Sequence, residues 1–226
     1  MNTFFLLLQI NDAAFPIGGY SHSYGLETYI QQGAVRDYDT ALGYIHQNIS
    51  TSFLYSELLA VRLAYHAAVR RDFGEIRSIS EWIYASKAPK ELREASVKLG
   101  SRFVKMASAA LPGAGLFQEY QDSVKKESGS HSVAYGVFCA AAKIGESEAL
   151  GAYLYAQIGA MVTNCVKTIP LSQTDGQKIL AGCHELFDRV LDKLDSLEKE
   201  DLCRSCPGLD IRSMQHEVLY SRLYMS

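Results

Sequence analysis

Apolar residues recur along this chain at steps of three and four, the spacing of one helical face, and no stretch shows the alternation that a half-buried strand requires. Ile179, Leu180, Cys183, Leu186, Phe187, Val190, Leu191, Leu194 and Leu197 fall on one stripe and predict a single long helix. Leu54, Leu58, Val61, Tyr65 and Ala68 form a second stripe, and Leu92, Val97, Leu99, Phe103 and Met106 a third. Turn-forming residues fall between such segments, at Pro16 to Gly19, Gly33, Ala88-Pro89, Pro112 to Gly115, Ser128 to Ser130 and Pro207-Gly208. Asp37 or Asp39 is placed to cap the helix after Gly33, and Ser147 the helix running towards Val166, because their side-chain oxygens accept orphan amide protons. The prediction is an all-α, single-domain bundle of roughly eight to ten helices with a C-terminal tail. Residues 1–209 form the helical domain, residues 199–210 look like a linker, and residues 210–226 are the tail.

Composition narrows the function classes. The chain has 226 residues, 48% of them hydrophobic, enough for one substantial core. Lys and Arg number 22 against 25 Asp and Glu, a formal net charge of -3. No overall positive field draws such a chain to phosphate backbones or anionic lipid, so neither nucleic acid nor membrane is an expected partner. The run Phe4 to Leu8 lacks a preceding positive charge and is broken by Gln9, Asn11 and Asp12, unlike a signal peptide. No later stretch approaches the roughly 20 apolar residues of a membrane span, so a soluble, cytoplasmic protein is expected. Of the five cysteines, Cys139, Cys165 and Cys183 sit in apolar helical patterns, where a thiol packs as a small hydrophobe and a reducing compartment fits.

Catalytic signatures are missing. Gly18-Gly19 lacks the lysine and spacing of a phosphate-binding loop, and neither His184-Glu185 nor His216-Glu217 completes the paired imidazoles of a zinc protease. None of the six histidines follows a glutamate by three positions, as di-iron bundles require. Cys203 and Cys206 form a lone Cys-x-x-Cys with no second pair and no preceding strand, which fits two free thiols in a linker better than a metal or redox site. No catalytic residue, cofactor or metal site is predicted. His46, His66 and His184 lie within helical patterns as ordinary hydrogen-bonded imidazoles, whereas His22 and His216 sit in unusual local sequence.

Two segments invite a binding role. The turn Pro16 to Gly19 reverses the chain, and the missing Cβ at Gly18 and Gly19 permits close approach of another backbone. Without more, a plain helix connection is the reading to favour. The tail from His216 to Ser226 carries Tyr220, Arg222, Leu223 and Tyr224, residue types that favour interface anchors, in a segment too short for its own core. Such a tail either orders on a partner or folds back on its own domain.

Leu8 to Glu27, containing Ala-Phe-Pro-Ile-Gly-Gly-Tyr-Ser-His-Ser-Tyr-Gly-Leu-Glu, resembles the opening motif of the urease accessory protein family UreF. Lys90-Glu91-Leu92-Arg93 with Leu99-Gly100, His131 to Gly136, Ile169 to Gln177 and Met214 to Ser226 resemble that family's later blocks in the same order, so the resemblance spans essentially the whole chain. Lys167 stands where arginine is frequent in the family, keeping the charge but losing the planar fork, and Ser172 stands where glycine is frequent. The resemblance implies an all-helical, non-catalytic homodimer that binds UreD (UreH in some species) and offers a platform to the GTPase UreG. The assembly would activate apo-urease by GTP-dependent construction of its nickel metallocentre. It also raises Tyr20, His22, Glu27, Lys167, Gln173, Asp175, Gln177, His216, Glu217, Tyr220, Ser221, Arg222, Leu223 and Tyr224 to candidate partner contacts, with Pro16, Gly18 and Gly19 as the close-approach turn. The rival is a nickel carrier that uses His22, His131, His216 and the Cys203/Cys206 pair as ligands.

Overall fold

A computed structural model describes residues 2–110, 115–123, 129–204 and 206–226, with the side chain of Tyr20 also left aside. Among the described residues the structure is helical throughout, with no strand. The helices are α1 (Thr3–Asn11), α2 (Leu26–Gln31), α3 (Tyr38–Asn48), α4 (Leu59–Val69), α5 (Phe73–Ser86), α6 (Lys90–Ala110), α7 (Gly115–Ser123), α8 (His131–Ala141), α9 (Glu146–Thr168), α10 (Gln173–Gly182), α11 (His184–Asp195) and α12 (Pro207–His216). A π-helical stretch, Ile49–Leu58, joins α3 to α4 into one rod, and Thr51 and Ser56 bond their hydroxyls back to the Gln47 and Ser52 carbonyls within it. The all-α expectation is met. Of the predicted breaks, residues 112–114 and Ser128 lie outside the described residues.

The core is built around α8, whose residues from His131 to Cys139 are all buried. Against it lies α4, and Gly136 makes the close approach possible, because a Cβ there would collide with the Val61 carbonyl. Phe103, Phe117, Tyr120, Tyr135 and Phe138 fill the space between α6, α7 and α8 with edge-on and tilted ring contacts. Cys139, Cys165 and Cys183 are buried among apolar neighbours, and burial pushes their thiols up to about 12, 12 and 11 respectively. They pack as small hydrophobes, as their positions in the pattern predicted.

Three local expectations change. The stripe from Ile179 to Leu197 is bent rather than straight. After Gly182, the poorest helix former of the stretch, the Cys183 amide turns to the Leu180 carbonyl three residues back, and α11 restarts at His184. The Arg62 guanidinium, itself buried, covers the Leu194 and Leu197 carbonyls where α11 ends. Ser147 does not cap α9, because the chain enters the helix at Glu146 from Gly145, so Ser147 already lies in the first turn. Asp37 does cap α3, in a reciprocal box with Thr40. The stretch 199–210 is not an open linker. It holds a 3-10 turn at Lys199–Asp201 and the start of α12, which Pro207 opens with its preset φ. The boundary drawn at residues 209 and 210 therefore falls inside α12.

Candidate protein-docking site at the C-terminal segment

The N-terminal turn and the C-terminal residues come together although they lie at opposite ends of the chain. After α1 the chain reverses at Pro16 to Gly19, with Gly18 at φ +82°, and passes through a 3-10 turn at Gly19–Ser21. Arg102 of α6 donates to the Ile17 carbonyl at 3.2 Å and occupies the space where a Cβ on Gly18 would stand. Gly19 faces no atom within 4 Å and Gly18 meets the Arg102 side chain, so within this chain no backbone makes the close approach foreseen at the two glycines. The last residues lie alongside: the Met225 amide donates to the Ser21 carbonyl at 2.9 Å, and the Tyr24 amide to Ser226 at 3.0 Å. His22 is buried, with Nδ1 2.8 Å from the Ser226 hydroxyl and its carbonyl accepting from Asn164 of α9 at 2.9 Å. Burial, then the charges of Lys98 and Arg102, holds its imidazole below the ordinary value, so it serves as a neutral hydrogen-bonding ring.

Glu27 organises the rest. It lies in the first turn of α2 and is buried, and its carboxylate accepts from the Leu223 amide at 2.7 Å and the Tyr224 amide at 3.0 Å and lies 3.0 Å from His216 Nε2. His216, at the end of α12, has no exposed surface, and its Nδ1 lies 2.7 Å from Glu91 of α6. The Arg222 guanidinium completes the cluster on the other oxygen of Glu91, at 2.6 Å. α12 reaches α2 closely because Gly25, at φ +83°, leaves room for Ser213. Thr28 and Gln31 add bonds to the carbonyls of Arg212 and Ser221, each at 2.8 Å.

With its backbone pinned in this way, the segment turns apolar side chains outward. Tyr220 is fully exposed, Val218 is 83% exposed and Leu223 66%, while Tyr224 is buried. Beside them is a groove of about 360 Å³ lined by Glu27, Ile30 and Gln31 of α2, Lys167 and Thr168 of α9, and Ser221, Arg222 and Leu223. Five predicted contacts, Glu27, Lys167, Ser221, Arg222 and Leu223, thus meet at one place. Glu217 is exposed just after α12. Gln173 and Gln177 are exposed on α10 and do not line the groove, and Asp175 is occupied locally, accepting from the Ser172 amide at 3.0 Å and hydroxyl at 2.7 Å to cap that helix. Those hydrogen bonds hold its carboxyl below the usual carboxylate range. The Tyr20 side chain lies outside the described residues.

Glu91 is the contact that the residue-by-residue reading missed. It stands inside the Lys90 to Arg93 block, but nothing local distinguishes it from a solvated helix carboxylate.

The potential metal ligands are not gathered. Among the described residues, no group of three or more His, Cys, Asp or Glu side chains is placed to hold a metal ion. His131 is buried against Phe103, and burial lowers its imidazole to about 4. Cys203 and Cys206 are free and half-buried, and Cys206 lines a separate cavity with Tyr29 and Tyr44. Ser205 lies outside the described residues. No described helix is long and apolar enough to cross a membrane.

A family model described as UreF matches residues 35–184. A urease accessory protein UreF from Bacillus sp. (strain TB-90) is 34% identical over 228 residues, covering all of both chains. The chain belongs to the UreF family. Further UreF relatives come from Ureaplasma urealyticum serovar 10, 36% identical with 97% of this chain and 95% of the relative covered, and from Actinobacillus pleuropneumoniae serotype 3, 35% identical with 97% of each covered. The match to the Bacillus relative takes in both ends that meet at Glu27, so the candidate site lies within the region the two chains share. Membership of the UreF family supports a role in urease maturation.

Proposed function

We propose that this chain is a non-catalytic urease accessory (chaperone) subunit that works in the cytoplasm by docking other proteins. As a homodimer it binds UreD/UreH through the C-terminal segment and the adjoining groove. It offers the GTPase UreG a platform, and the joint complex builds the nickel metallocentre of apo-urease in a GTP-dependent manner. The observation that carries this reading is the pinned C-terminal segment, which holds Val218, Tyr220 and Leu223 in water at a fixed position beside the cations Lys167 and Arg222. Large apolar side chains presented in this way from an ordered backbone are a docking surface, since a monomer gains nothing by ordering them there. The nickel-carrier alternative has no such support, because its ligands are dispersed.

Size-exclusion chromatography with light scattering tests the proposal on the purified full chain, alone and mixed with its cognate UreD/UreH and GTP-loaded UreG. The expected results are a dimer alone and a larger joint complex in the mixture. That complex should be lost in a Val218→Ser/Tyr220→Ser/Leu223→Ser variant with an unchanged melting temperature. A monomer that ignores both proteins, or a variant that assembles as wild type does, overturns the proposal.

A further inference from the structure

The C-terminal segment is held by a cluster of charged groups centred on His216. A neutral imidazole carries one N–H and one lone pair. Both ring nitrogens of His216 face carboxylate oxygens, Nδ1 at 2.7 Å from Glu91 Oε2 and Nε2 at 3.0 Å from Glu27 Oε2. Whichever tautomer a neutral ring adopts, one carboxylate therefore meets a lone pair. Three of the four carboxylate oxygens already accept from other donors. Glu27 Oε1 accepts from the Leu223 amide and Oε2 from the Tyr224 amide, while Glu91 Oε1 accepts from Arg222. Only Glu91 Oε2 has no donor besides the ring, and because the Arg222 guanidinium on its partner oxygen is best matched by a carboxylate, the hydrogens on both contacts are assigned to the ring.

The surrounding charges agree. The cluster contains Glu27 from α2, Glu91 from α6 and Arg222 from the C-terminal segment, with the Tyr224 phenol nearby. Burial, and then the charge of Glu27, pushes that phenol up, so it adds no charge of its own. Glu217 follows His216 but is exposed, and Lys98 and Arg102 of α6 act on the neighbouring His22. Two carboxylates are thus balanced by one guanidinium and one imidazolium, and a neutral His216 leaves a buried negative charge uncompensated, the costly arrangement for an ion pair.

We propose that His216 docks as an imidazolium and makes the C-terminal segment a proton-dependent latch. The proposal rests on the reading of this segment as the docking surface and concerns when that surface is formed. A free imidazole in water loses its proton near pH 6.5. Above that pH, docking takes up one proton, so it weakens as pH rises, by up to tenfold per pH unit.

Hydrogen exchange on the full chain without partners tests this, read as protection of peptides containing the Leu223 and Tyr224 amides between pH 6 and 8.5 after correction for the intrinsic exchange rate. Wild type should lose protection by up to tenfold per unit. In Glu91→Gln the new side-chain amide can donate to Nδ1 of a neutral ring, so the slope should flatten while protection at high pH is retained. A flat wild-type profile, or a Glu91→Gln profile with the wild-type slope, overturns the latch. Light scattering with UreD/UreH at pH 6 and pH 8 separates the two ideas. A sloping exchange profile with no complex at either pH supports the latch and counts against the docking reading, whereas complex formation alongside a flat profile does the reverse.

Discussion

Glu27→Ala removes one acceptor that serves three donors from the far end of the chain, the Leu223 and Tyr224 amides and His216 Nε2. Hydrogen bonds to an ionised group contribute about 1.5–3 kcal/mol each, but bonds sharing an acceptor do not add. Breaking a buried ion pair on one side costs about 3–5 kcal/mol, and that range bounds the loss in docking of the C-terminal segment. Since about 1.4 kcal/mol is a factor of ten, protection of the Leu223 and Tyr224 amides should fall by about a hundred- to several-thousand-fold. The core should hardly respond. None of residues 217–226 belongs to the main apolar cluster, so the segment can open without unfolding the bundle. Hydrogen exchange of the C-terminal peptides, with the Phe138 amide of α8 as reference, measures both quantities in one experiment. Protection within threefold of wild type would show that Glu27 does not hold the segment. A loss that the Phe138 amide shares in full would show that Glu27 holds the whole fold instead.

Two further substitutions separate assembly from folding and core from latch. A Cβ on Gly19 would meet no atom within 4 Å, so Gly19→Leu should change stability by no more than about 0.5 kcal/mol in urea unfolding, while complex formation with UreD/UreH is lost. Equal loss of folding and assembly would sink the docking role of this turn. His131, lowered to about 4 by burial, stays neutral in the folded core while the unfolded chain takes up a proton below about pH 6.5. Stability therefore falls as pH drops from 6.5 towards 4, by about 3 kcal/mol from this residue, and urea titrations of His131→Gln should show a shallower acid limb than wild type.

What the sequence disclosed follows the range of the interactions involved. Helix periodicity and the Asp37 cap depend on residues within one or two turns, and the structure reproduces them. Cys139, Cys165 and Cys183 were legible as packing residues because each lies on an apolar stripe. The bend at Cys183 was not, since the stripe continues across it and only the backbone bond to Leu180 changes. The site was visible in outline, because the odd sequences around His22 and His216 are the two that meet. Its chemistry was hidden: Glu27 and His216 are 189 residues apart, and a glutamate in the first turn of a helix looks like a favourable charge at the dipole until its partners are known. Glu91 was hidden for the same reason. Gln173 and Gln177 stand in the matched block that Lys167 shortly precedes, but α9 ends at Thr168 and α10 starts only at Gln173 after Pro170, so only Lys167 reaches the groove.

Of the three buried histidines, His131 and His216 respond to acid with opposite signs under the proposed latch, and the difference lies in their partners. His131 packs against the rings of Phe103, Tyr135 and Tyr153 with its Nε2 lacking a hydrogen-bond partner, and the charge of Glu57 does not offset its burial. His216 lies between two carboxylates, so a proton there completes the cluster. Between pH 6.5 and 8 His131 is neutral in both folded and unfolded chains and contributes no slope, whereas docking of the C-terminal segment still takes up a proton. A change in assembly across that interval, with unfolding free energy flat after the His216 contribution is removed by Glu91→Gln, therefore reports the latch and not a softening of the bundle. The surface that meets the partner is in this way set by groups that can let go while the helices beneath it stay packed.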